Sequence, residues 1–142
     1  MKKRKLFEQF VQFISSVHQV TNDMTKDVKF DEITPMQYKI LEYIAVCQPV
    51  TLSKVSECLH ISLPNASREL RKLMEKDLCQ KHSDLDDKRK HSIRLTENGT
   101  KLVDAAFQNI ELKFNRQIEA LTEDELEEVR QALEVLQKKV FY

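Results

Sequence analysis

Apolar residues recur along this chain at helical spacing in six stretches and at alternating spacing in two short ones, so the fold expected is mostly helical. Leu6, Phe10, Phe13, Val17, Val20 and Met24 step by fours and threes, and Phe7, Val11 and Ile14 widen the stripe. This predicts one long helix whose apolar face is too broad for an ordinary surface helix. The spacing is lost from Thr25 to Asp31, where a loop is expected. A second helix starts at Ile33-Thr34-Pro35-Met36-Gln37-Tyr38: Thr34 is the N-cap, Pro35 takes the first position, Gln37 completes a capping box and Ile33 staples to Tyr38. From Met36 to Cys47 apolar residues occur nearly all round, which predicts burial in the middle of the domain, until Gln48-Pro49 stops the helix.

The stretch from Thr51 to Thr96 carries the sharpest pattern. Leu52, Val55, Ser56 and Leu59 form a short periodic piece, followed across His60 and Ile61 by Ser62-Leu63-Pro64-Asn65-Ala66-Ser67-Arg68. Ala66, Leu70, Leu73 and Met74 fall on one side of a helix capped by Ser62, with Pro64 in its first turn. Asn65, Arg68, Arg71, Lys72 and Glu75 fall on the other. Two short helices on so short a turn predict a helix-turn-helix. Leu78 to His82 and His91 to Leu95 then read as strands, with Ile93 and Leu95 on one face and Ser92 and Arg94 on the other. Between them runs the charged loop Ser83-Asp84-Leu85-Asp86-Asp87-Lys88-Arg89-Lys90. The fold class expected is mostly α with a small β hairpin (α+β), a winged helix-turn-helix. Such a lobe suits duplex DNA, because a helix fits the major groove while a thin arginine-bearing loop reaches the minor groove beside it.

After the hairpin, Thr96 caps a helix carrying Leu102, Ala106, Ile110, Phe114 and Ile118. Leu121-Thr122-Glu123-Asp124-Glu125-Leu126 restarts the chain with a second capping box and staple, and Leu126, Val129, Leu133, Leu136 and Val140 draw a coiled-coil-like seam. The terminal helices present more apolar surface than one small winged helix can cover. The expectation is a winged lobe at 34–95 flanked by helical dimerisation regions at 1–33 and 96–142, intertwined with a second copy. The twofold would set the two copies of the Ser62-capped helix about one DNA turn, ~34–36 Å, apart, matching a pseudo-palindromic site.

Composition narrows the alternatives. One Gly in 142 residues excludes the glycine-rich loops that cradle phosphates in nucleotide enzymes. Net charge is zero, but from Arg68 to Arg94 nine Lys or Arg stand against six Asp or Glu, whereas Glu119 to Lys139 has three against seven. The basic excess therefore sits where DNA would lie. Lys2-Lys3-Arg4-Lys5 resembles the start of a signal peptide, yet Glu8, Gln9 and Gln12 interrupt the apolar run that would have to follow. No apolar stretch reaches the ~20 residues of a membrane span. Cys47, Cys58 and Cys79 are odd in number and lack a CxxC pair, which fits a reduced, cytoplasmic protein with small core thiols.

The motifs in series resemble a known family. Asn65-Ala66-Ser67-Arg68-Glu69-Leu70, Leu73-Met74-Glu75-Lys76-Asp77-Leu78, Asp84-Leu85-Asp86-Asp87-Lys88-Arg89 and Leu95-Thr96-Glu97-Asn98-Gly99 resemble in order the recognition helix, wing and wing-exit motifs of the MarR (multiple antibiotic resistance regulator) family. The resemblance implies a dimeric winged-helix regulator of transcription. Carried over by motif, Pro64, Asn65, Ser67 and Arg68 face the major groove, with Arg71 and Lys72 on the same outer face. Asp87 and Arg89 match the wing's Asp-x-Arg pair, the carboxylate orienting the guanidinium, and Lys88 and Lys90 are looser phosphate contacts. Asp77 and His60 stand where the family often has Gly, Leu85 replaces a common wing Pro and Lys88 a common Arg.

No catalytic constellation is present, and the expectation is a DNA-binding regulator rather than an enzyme, with no cofactor and no membrane. Repression of a target released by a small-molecule effector fits best, the effector occupying a cleft between dimer helices and winged lobe and changing the separation of the two recognition helices. The alternatives are a cysteine-based redox regulator on the same scaffold and a winged-helix module that binds protein. His82 and His91 are expected to face each other across the hairpin, a pair with no third ligand and so a poor metal site.

Overall fold

The computed structural model describes residues 2–26, 33–83, 86–87 and 91–142. Its elements are α1 (Lys2–Thr25), α2 (Pro35–Cys47), α3 (Leu52–Leu59), α4 (Leu63–Glu75), β1 (Cys79–Ser83), β2 (His91–Leu95), α5 (Glu97–Gln117) and α6 (Glu123–Lys139). Each helix start foreseen from a cap is one. Thr34 and Gln37 close a reciprocal capping box with both bonds at 3.1 Å, and Thr122 and Glu125 do the same at 3.2 Å. These bonds satisfy amides that the first helical turn leaves without partners.

Two helices end on non-glycine residues in the left-handed region, His60 at φ 55° and Asp77 at φ 58°. In each case the next N–H reaches back five residues, Ile61 to Ser56 at 3.1 Å and Leu78 to Leu73 at 3.0 Å. This is the Schellman closure, which offsets the cost of the left-handed backbone by occupying carbonyls the helix end exposes. Leu78 is thereby absorbed into the end of α4, and β1 starts at Cys79 rather than at Leu78 as expected.

The strands pair antiparallel with Cys79 opposite Leu95, His82 opposite Ser92 and Ser83 opposite His91. The expected pairing of His82 with His91 is therefore wrong by one residue. Because side chains alternate along a strand, that offset sends the two imidazoles to opposite faces. Val50, ahead of α3, bridges the far side of β2: Ile93 N donates to Val50 O at 2.7 Å and Val50 N to Ile93 O at 3.1 Å.

The chain divides into two compact units, Lys26–Gln108 and the pair Met1–Thr25 with Asn109–Tyr142. In the first, Ile40, Leu41 and Ile44 of α2, Val55 of α3, Leu70 and Leu73 of α4, Ile93 of β2 and Val103 of α5 are fully buried in one cluster. Each large aliphatic so buried contributes ~1.5–3 kcal/mol. The burial of α2 is one-sided rather than all round, since α3, α4 and β2 cover one face and leave Val46 72% exposed. In the second unit neither α1 nor α6 buries any residue fully, although Phe10 and Phe141 stack with ring centroids 5.9 Å apart. Lys113 Nζ caps the end of α1 through the carbonyls of Asp23 and Met24, at 3.3 and 3.1 Å. Among the described residues no helix is long and apolar enough to cross a membrane.

Candidate nucleic-acid interface

Local chemistry sets α4 in place. Ser62 Oγ accepts from Asn65 N at 3.2 Å, capping a helix with proline in its first turn. Ahead of it, the Ser56 hydroxyl donates to the Ile61 carbonyl at 2.6 Å, so the turn between α3 and α4 is locked by a side chain as well as by backbone. Ala66, Leu70 and Leu73 point into the core and hold the helix by burial. The opposite face is then obliged to meet solvent: Pro64, Asn65, Arg68, Arg71 and Lys72 are all exposed, and Ser67 is half-buried at the edge. The residues expected to face DNA from the helix therefore form one outward row, with three cations and one amide able to reach phosphate and base edges.

Of these cations Lys72 alone has a recorded ion pair among the described residues, with Glu69 at 3.5 Å. Glu69 also accepts from Gln37 Nε2 of α2 at 3.0 Å. Neither Gln37 nor Glu69 stands out from sequence as a participant in the interface. The one available signal is the position of Glu69 on the flank of the helix, between its buried and exposed faces.

On the wing side, β2 is held from both edges, by β1 and by the linker ahead of α3, where Gln48 Oε1 also accepts Leu95 N at 3.0 Å. Asp86 is exposed and Asp87 half-buried. Lys88, Arg89 and Lys90, expected at the wing tip, lie outside the described residues, as does Leu85.

The cysteines depart from expectation. Only Cys79 is a core thiol, where burial pushes its pKa up to about 11. Cys47 and Cys58 are exposed, at the end of α2 and on the outer side of α3, and the Cys58 thiol donates to the Tyr43 hydroxyl at 3.2 Å. Among the described residues no three metal-ligating side chains come together.

Comparison with known proteins agrees with this geometry. The sequence model of the MarR family matches residues 33–91, from two residues ahead of α2 to the first residue of β2. The chain is 30% identical over 100 residues, 70% of its own length and 68% of the relative's, to an uncharacterized HTH-type transcriptional regulator of Staphylococcus aureus strain Mu50. A MarR family protein from Bacillus stearothermophilus superposes with a TM-score of 0.82 at 15% identity, covering 100% of this chain and 99% of that one. S. aureus MepR bound to ethidium bromide matches at a TM-score of 0.65 and 25% identity, covering 94% of this chain and 96% of that one. A mutant of MepR bound to an oligodeoxyribonucleotide matches at 0.60 and 24%, covering 94% and 97%.

Proposed function

The chain belongs to the MarR family of transcriptional regulators, and from that premise we propose that it is a cytoplasmic homodimer that represses transcription from a pseudo-palindromic operator and is released by a small-molecule effector. The observation that carries the DNA-binding part is the outward row of Asn65, Arg68, Arg71 and Lys72 on a helix anchored by Ala66, Leu70 and Leu73. Family members are regulators rather than enzymes. Arg89 joins the interface from the wing, with Asp87 orienting it and Lys88 and Lys90 on flanking phosphates.

Two observations support the assembly and its control. Leu6 of α1, Val129 and Leu133 of α6 and Val140 at its C-cap are all more than a third exposed in the single chain, an apolar surface that a second copy would cover. MepR, similar over nearly the whole length, is known bound to ethidium, which favours a small-molecule effector here. The effector acts by binding one spacing of the paired recognition helices better than the other.

The test is fluorescence anisotropy with the DNA flanking the protein's own coding sequence, across a salt series, for wild type, Arg68→Ala and Arg89→Ala. The expected result is tight, steeply salt-dependent binding over competitor DNA, with each variant losing ~1–3 kcal/mol. Equal, weak binding of all three proteins to that DNA and to random duplex would overturn the reading.

A further inference from the structure

Glu69 sits on the flank of α4, between the buried side of Ala66, Leu70 and Leu73 and the exposed row of Arg68, Arg71 and Lys72, and its side chain is only 21% exposed. Both carboxylate oxygens are engaged, Oε2 accepting from Gln37 Nε2 at 3.0 Å and Oε1 facing Lys72 Nζ at 3.5 Å. Gln37 is 3% exposed and its amide cannot turn round, because Oε1 already accepts Thr34 N at 3.1 Å. Gln37 thus presents only N–H donors to α4, and the group that meets them must be an acceptor. The capping box that begins α2 is in this way extended by one further bond to the helix that carries the DNA-facing row.

We propose that Glu69 is the positioning residue that sets the specificity of this interface. Through Gln37 it fixes the rotation of α4 on α2. Through Lys72 it occupies an ammonium that would otherwise serve any phosphate. A neutral acceptor of the same shape would satisfy Gln37 equally well, so the negative charge has a separate consequence: it is repelled by the phosphate backbone of every duplex. That repulsion weighs most on wrong sequences, which hold the protein by phosphates alone and so draw the flank of α4 toward the backbone, whereas base contacts on the right sequence seat the helix in one register with the carboxylate turned to Gln37. The carboxylate therefore lowers non-specific binding more than it lowers operator binding. This inference rests on the DNA-binding reading above.

The experiment compares wild type, Glu69→Gln and Glu69→Ala on a duplex that wild type has selected from a random pool and on an unselected random duplex, over a salt series, with a thermal melt of each protein. Glu69→Gln keeps the acceptor for Gln37 and should melt with wild type. It should nonetheless bind random duplex about fivefold tighter, with a log–log salt slope steeper by about 0.9, one additional phosphate neutralised by the released Lys72. The selected-to-random ratio falls accordingly. Glu69→Ala also orphans the buried Gln37 donor and should lose about tenfold on the selected duplex. A Glu69→Gln protein with wild-type ratio and wild-type salt slope would overturn the inference alone. A wild type that selects no sequence would overturn the function reading and this inference together.

Discussion

The Thr96 hydroxyl donates to the Asp77 carbonyl at 2.6 Å and accepts Gly99 N at 3.0 Å, so one side chain both starts α5 and ties it to the end of α4. The tie is reinforced by Asn98 Nδ2 donating to Asp77 Oδ2 at 2.8 Å and by Thr96 N donating to Leu78 O at 3.2 Å. The wing thus leaves and re-enters the fold at one hydrogen-bonded point. The Leu-Thr-Glu-Asn-Gly motif at residues 95–99 has a mechanical meaning: it is the fastening of the wing's base.

Gly99→Ala should destabilise the protein by ~2–3 kcal/mol, measured by urea unfolding, since a methyl added there would lie 1.9 Å from the Leu78 carbonyl oxygen. The sign is the informative part. Glycine to alanine inside a helix ordinarily stabilises by up to ~1 kcal/mol, and here the backbone of the neighbouring segment reverses it.

Asp77→Gly should leave stability within ~0.5 kcal/mol of wild type, because relief of the left-handed backbone and loss of the Asn98 hydrogen bond are each worth ~1 kcal/mol and oppose one another. Asp77→Ala loses the bond and keeps the strain, for a net loss of ~1–2 kcal/mol. In an Asn98→Ala background the Asp77→Gly change should become stabilising, since only the backbone term is left; a double-mutant cycle by chemical denaturation reads this directly.

Leu133→Lys should convert a dimer into a monomer in sedimentation-velocity runs and weaken operator binding, because Leu133 lies on the α6 seam and is 56% exposed in the single chain. The polar side of α6 is laced by Arg130 with Glu127 at 2.6 Å and Glu134 at 3.1 Å, and by Lys138 with Glu134 at 2.8 Å. Arg130→Ala, on that exposed side, should leave the oligomeric state unchanged and the urea midpoint close to that of wild type, because solvent screens these ion pairs. If Leu133→Lys remained a dimer, the α6 seam would not be the subunit contact.

A thiol reagent at neutral pH should label Cys47 and Cys58 in the folded protein and Cys79 only after unfolding, since Cys79 alone is buried. Burial raises the Cys79 pKa from 9.0 to about 11, so folding disfavours the thiolate. The stability this group contributes is complete below pH 9 and is lost as pH rises from there through about 11. Cys79→Ala should flatten the fall of the urea midpoint across that window. Wild-type DNA release by peroxide that survived Cys47→Ser plus Cys58→Ser would dispose of a redox switch on the exposed thiols.

Much of this molecule was legible in the amino-acid sequence because much of it is decided within one helical turn. Thr34 with Gln37, Ser62 with Asn65 and Thr122 with Glu125 are each three residues apart, and a capping bond needs nothing beyond its own segment. The two positions that stand where the family often has glycine, His60 and Asp77, are also the two left-handed residues among those described, since both features follow from how the local chain must close a helix. The outward row on α4 was readable for the same reason: its opposite face is apolar at a spacing of three and four. Tertiary structure alone decided what depends on residues far apart meeting. Gln37 finds Glu69 across 32 residues, and Leu95 finds Gln48 across 47. Strand register, and with it the faces taken by His82 and His91, is set by how the hairpin packs Ile93 and Leu95 inward, a choice one residue in either direction would reverse. Whether a cysteine or the far side of α2 is covered likewise depends on where the neighbouring elements end. Local periodicity encodes which residues seek burial, while only packing determines which of them obtain it.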